Sequence, residues 1–121
     1  MKYVLKHTDN IFGMTNLVPR KTGMAVDIWL DNKGILRKVR HNVPRVKIGT
    51  NEEYVSVSIS RGPEILSMSG NIKHSTMAKI KQALKYVSKN SDLFLKHYND
   101  TDDTFYDEDL FGELRKRGQI R

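Results

Sequence analysis

The chain has 121 residues, a formal charge of +7 and no cysteine. That length is one domain, able to bury roughly two-thirds of its unfolded surface without staples, and the lack of Cys excludes disulfides, thiolate zinc sites and thiol nucleophiles. An apolar content of 38% supports a core but sits below the usual average, so long exposed segments are expected.

Residues 1–22 read as an N-terminal arm, with a strand at Tyr3–Leu5 followed by a polar stretch containing Gly and Pro. The apolar run after Met1 is too short for a signal peptide. No stretch approaches the 18 apolar residues of a bilayer span. A cytoplasmic protein with no membrane partner is expected.

From Gly23 to Met68 the pattern has period two, as strands do. Met24, Val26, Ile28 and Leu30 alternate with Ala25, Asp27, Trp29 and Asp31. Asp31-Asn32-Lys33-Gly34 is a tight turn, and Ile35 to His41 returns antiparallel with neither face cleanly apolar, as an edge strand would. After Pro44, Val46 and Ile48 alternate with Arg45 and Lys47. Tyr54 to Ser60 is the clearest strand, with Val55, Val57 and Ile59 on one side and Tyr54, Ser56 and Ser58 on the other. Gly62-Pro63 punctuates, and Glu64 to Met68 is a further short strand.

The period changes at Ser75. Met77, Ile80, Leu84 and Val87 make a helical stripe with Ala83 beside it, Ser75 or Thr76 is placed to cap it, and Lys81, Lys85 and Lys89 line its opposite side. Asn90-Ser91 is a stop and restart, followed by a short helix with Leu93, Phe94, Leu95 and Tyr98. An acidic linker, residues 100–104, leads to a last helix over Tyr106–Lys116, its acids near the N-terminus and its bases near the C-terminus. The fold class is therefore α+β: a four- to five-stranded antiparallel meander covered on one face by two helices, with an arm over 1–22, a domain over 23–99 and an acidic linker and C-terminal helix over 100–121.

Charge is sorted along this chain. Residues 1–91 hold 16 Lys/Arg against 6 Asp/Glu, and residues 92–121 hold 5 against 8. Lys33, Arg37, Lys38, Arg40, Arg45 and Lys47 fall within fifteen residues that contain no carboxylate. With Lys79, Lys81, Lys85 and Lys89 they form a candidate phosphate-binding set, in which Arg37, Arg40 and Arg45 are the better phosphate forks. Trp29, Tyr54 and Tyr86 would add stacking surface if they share a face, with RNA favoured over DNA. The plainer alternative is that these lysines are ordinary solvated side chains.

The runs Pro44-Arg45-Val46-Lys47-Ile48, Glu53 to Ile59 and Pro63-Glu64-Ile65-Leu66, with the apolar helix, break and Leu-rich turn from Ile80 to Asn99, resemble a small bacterial family, domain of unknown function forty-one sixty, over residues 24–99. Tyr98 stands where that family usually has Trp. The resemblance implies a compact α+β protein often labelled a toxin–antitoxin component, and it supplies no catalytic residues.

Among the acids, Asp100, Asp102 and Asp103 lack the central Gly and the position-12 Glu of a calcium loop. Phe105, Asp107, Glu108, Asp109 and Phe111 form a candidate protein-docking segment, unless the acidic end is a solvated tail or folds onto the basic face. The four histidines show no metal-ligand spacing, so no metal and no cofactor is expected. Three functions follow. The leading one is a non-enzymatic binding protein that engages nucleic acid or a nucleoprotein, as a phage, mobile-element or toxin–antitoxin component. The second is a ribonuclease toxin with His41 and His97 as acid and base and Arg45 on the phosphorane. The third is a protein-only inhibitor or assembly subunit.

Overall fold

The computed structural model describes residues 14–31, 43–100 and 104–121. Five strands, β1 (Met14–Leu17), β2 (Asp27–Asp31), β3 (Arg45–Gly49), β4 (Tyr54–Ser58) and β5 (Ile65–Met68), form one antiparallel sheet in the order of the chain. A short helix α1 (Pro19–Thr22) links β1 to β2, and three helices close the chain: α2 (His74–Lys89), α3 (Ser91–Tyr98) and α4 (Asp107–Lys116). This is the α+β meander that the alternating pattern predicts.

The register shows why one face is buried. Cross-strand partners Leu17↔Ile28, Ile28↔Ile48, Ile48↔Val55 and Val46↔Val57 put their side chains on a common side. Ile80, Ala83 and Val87 of α2, Phe94 of α3, and Leu110 and Leu114 of α4 complete that core, each large aliphatic contributing about 1.5–3 kcal/mol when fully buried. Gly49 ends β3 at φ +146°. A Cβ there would overlap the Glu53 carbonyl oxygen and lie 2.6 Å from the Tyr54 Cα, so the β3–β4 turn requires glycine.

Three expectations need correction. Residues 14–22 are not an arm: Met14–Leu17 is an edge strand paired to β2. Its polar residues hide it, because Thr15 sits on the core side of the sheet and satisfies its hydroxyl by donating to Asp107, 92 residues away, at 2.6 Å. Neither Ser75 nor Thr76 caps α2, which already begins at His74. Glu53, in the β3–β4 turn, instead anchors the start of the helix, accepting the Lys73 N–H at 2.9 Å and the Thr76 hydroxyl at 2.7 Å. The buried side of α2 is also turned away from the expected stripe: Ile80, Ala83, Val87 and Tyr86 are buried, while Met77 and Leu84 are half-buried. The expected strands at 3–5 and 35–41 lie outside the described residues; the described neighbours of β2 are β1 and β3.

The acidic end is part of the domain. Asp100 is buried and accepts the Thr104 and Phe105 N–H groups and the Thr104 hydroxyl, each at 3.1 Å. Asp109 accepts the Tyr106 N–H at 2.8 Å and closes the first turn of α4. At the other end Gly118 takes φ +73°, reversing the chain so that Ile120 is buried and the Arg121 N–H reaches the Lys21 carbonyl.

Candidate nucleic-acid interface

The positive side chains fall into two groups, set by the two periodicities that place them. Along β3 the period of two sends Val46 and Ile48 into the core and Arg45 and Lys47 to the opposite face of the sheet. On that face Lys47 lies across from Trp29 and Ser56. Its ammonium sits 4.6 Å from the centroid of the Tyr54 ring, a cation–π contact, and burial pushes its pKa down. Burial likewise pushes the nearby Asp27 carboxyl up, against the opposing effect of a hydrogen bond from Asn16. Arg45 turns its Nε to the Val43 carbonyl at 3.2 Å.

α2 packs against the core side of the same sheet, so its outer lysines point away from Arg45 and Lys47. Lys81, Lys85 and Lys89 follow one another at a rise of about 6 Å, all exposed, with exposed Lys79 on the other flank. No Asp or Glu occurs anywhere in the sixteen residues of the helix. None of these four ammonium groups pairs with a carboxylate among the described residues. The single surface expected from Arg45, Lys47, Lys81, Lys85 and Lys89 is therefore two, on opposite sides of the sheet. Lys33, Arg37, Lys38 and Arg40 lie outside the described residues, in the segment that joins β2 to β3.

The expected stacking surface is also reduced. Trp29 is 1% exposed, and Tyr86 is buried with its hydroxyl donating to the Gln119 carbonyl at 3.0 Å. The same burial pushes the Tyr86 pKa far up. Tyr54 alone of the three is half-buried and within reach of a base, with Lys47 already over its ring.

Of the ribonuclease reading, His97 and Arg45 are not brought together. His97 is 2% exposed, and its Nε2 lies 2.7 Å from Asp107 Oδ1 while Thr15 holds the other oxygen of that carboxylate. This part-buried clamp ties β1, α3 and α4; it offers no imidazole to a substrate, and Arg45 lies on the far face of the sheet. His41 lies outside the described residues. The docking segment is likewise spent internally. Phe105 is in the core beneath Lys96, at 4.5 Å. Asp107 and Asp109 are committed to the clamp and the cap, and Phe111 is half-buried under Lys21 at 5.6 Å. Glu108 is exposed. Among the described residues no three His, Asp or Glu side chains converge as a metal site would require, and no helix is long and apolar enough to cross a membrane.

Sequence reasoning missed the clamp and the Glu53 anchor, because both join residues far apart in the chain and leave no local pattern. It also missed the exposure of β5, where Ile65, Leu66 and Met68 stand at the edge of the sheet. The run Ile-Leu-Ser-Met was the available signal, since it lacks the apolar–polar alternation of a strand with one buried face. No family model, no curated protein and no solved structure matches this chain.

Proposed function

We propose that this is a non-enzymatic nucleic-acid-binding protein in which α2 is the principal contact, its lysine row lying along a phosphate backbone. One observation carries the reading: a sixteen-residue helix free of carboxylates presents Lys81, Lys85 and Lys89 to solvent in a line, with no acid from elsewhere in the described fold neutralising them. The acidic α4 packs beside α3 and leaves that row uncovered. Arg45, on the opposite face of the sheet, makes a second contact. The resemblance to domain of unknown function forty-one sixty accords with a toxin–antitoxin or mobile-element accessory, and RNA is the preferred ligand.

The test is fluorescence anisotropy with labelled RNA and DNA oligonucleotides of one mixed sequence, across about 50 to 200 mM salt. Binding should weaken steeply with salt, and replacing Lys81, Lys85 and Lys89 together with Gln should flatten the log–log slope by about 2. Tight binding that ignores salt, or a triple variant with an unchanged slope, would refute the assignment.

A further inference from the structure

Among the described residues, no element covers the outer edge of β5. Its other neighbour position is vacant among the described strands, and the strand carries no charge, no proline and three exposed apolar side chains, with Met68 49% exposed. Natural edges are usually blunted by lysine, proline or a covering element. Because the Ser69 N–H is given to the Tyr54 carbonyl, the period of two turns the backbone N–H and C=O of Met68 outward, beside the register irregularity that separates Ser67 from Ile65.

The side chains next to this edge form a receptacle. Met68 pairs with Val55 and Ile65 with Val57, so both point to the side of the sheet on which α2 lies. α2 is turned toward α3 and α4, which leaves Met77 and Leu84 only half-covered on the flank nearest β5. That flank is located by the Ser88 hydroxyl, which donates to the Arg61 carbonyl in the β4–β5 connection. Nearer the start of the helix the same flank carries a concavity of about 400 Å³, lined by Ile72, His74, Met77, Ala78 and Lys81. Its floor is apolar and its rim carries the Lys81 ammonium.

We infer that this edge binds an extended, acidic peptide segment of a partner protein, which adds as a sixth strand against β5. Alternate apolar side chains of the peptide would lie on Ile65, Met68 and Met77, and a carboxylate would meet Lys81. Charge selects this occupant over a second copy of the chain. A two-fold pairing of β5 with itself would continue the sheet and set two α2 flanks side by side, lysine against lysine, with no acid in either helix to compensate. A carboxylate-bearing strand meets the same apolar edge with the opposite sign.

The probe is a phage-displayed library of random peptides about a dozen residues long, selected on the full chain, with enriched peptides then synthesised and titrated by anisotropy. Enriched sequences should alternate apolar and acidic residues. Their binding should fall about tenfold for the Ile65→Thr/Met68→Thr double variant and about threefold for Lys81→Gln. Hydrogen exchange at the Met68 amide should slow on saturation, which reads strand addition directly and needs no variant. The inference is overturned if nothing enriches, if the enriched peptides lack acids or bind the double variant equally, or if sedimentation shows a dimer that the double variant abolishes. Both threonine replacements are uncharged, so nucleic-acid affinity should stay within about twofold in that variant; peptide binding and polyanion binding can thus fail separately.

Discussion

The two flanks of α2 are built on opposite plans. Toward α3 and α4, Tyr86, Asn90, Arg117 and Gln119 interlock. The Asn90 side chain is fully buried, donates to the Tyr86 carbonyl at 3.0 Å and to Gln119 Oε1 at 3.1 Å, and receives Arg117 Nη1 at 3.4 Å. Toward β5, apolar side chains stand half-covered and the outer edge of the strand is open. The first flank is fastened by polar groups that are satisfied inside the protein, and the second is left with apolar surface that no described element covers. The domain thus buries an interlocked polar network on one side and keeps apolar, adhesive surface on the other.

That contrast can be broken at several points. The largest effect is expected from Leu110→Ala, which empties a fully buried site between α4 and the core and should cost about 2–5 kcal/mol. Leu66→Ala, at the open edge, should cost about 0.5 kcal/mol or less. Denaturant melts of the two variants compare them directly, and equal losses would mean that β5 is covered in solution. Next comes His97→Ala, which empties a buried imidazole site and removes its part-buried hydrogen bond to Asp107 and should cost about 1–3 kcal/mol, read in the same melts.

Smaller effects test the fastened flank by pH. Arg117 Nη1 and Nη2 donate to Asp92 at 3.0 and 2.6 Å, and this guanidinium holds the Asp92 carboxyl below its ordinary range. A carboxyl lowered by folding stabilises the protein above its unfolded pKa, and that stability is lost as pH falls through the folded one. The pair is exposed, so Asp92→Asn should cost about 0.5 kcal/mol at neutral pH and nothing below the folded value. Glu53 follows the same sign: the Lys73 N–H and the Thr76 hydroxyl lower its pKa. Glu53→Gln should flatten the acid limb of the stability curve, measured as the melting temperature against pH.

How much was legible follows the range of the forces involved. The alternation of Val55 and Val57 against Tyr54, Ser56 and Ser58 is a local pattern, and β4 forms where it predicts. Asn90 marks the break between α2 and α3 because a helix stops or restarts within a few residues. α4 begins at Asp107, one residue inside the expected limit, because its own acids favour its N-terminus. β1 was hidden, since its inward Thr15 is made acceptable by a partner 92 positions later. The candidate site was legible as charge but not as surface. Composition counts Arg45, Lys47 and Lys81 alike, whereas the strand period and the side on which α2 docks send them to opposite faces.

The carboxylate-free character of α2 bears on the order of assembly. Lys81, Lys85 and Lys89 repel one another at i, i+4 spacing, each pair costing about 0.2–0.5 kcal/mol, and the first turn holds no acid of its own. Cut out as a peptide, this segment would be a poor helix, because the negative charge that favours its start belongs to Glu53 in another element. The β3–β4 hairpin must therefore be in place before the helix gains its anchor, and folding is expected to run from sheet to helix.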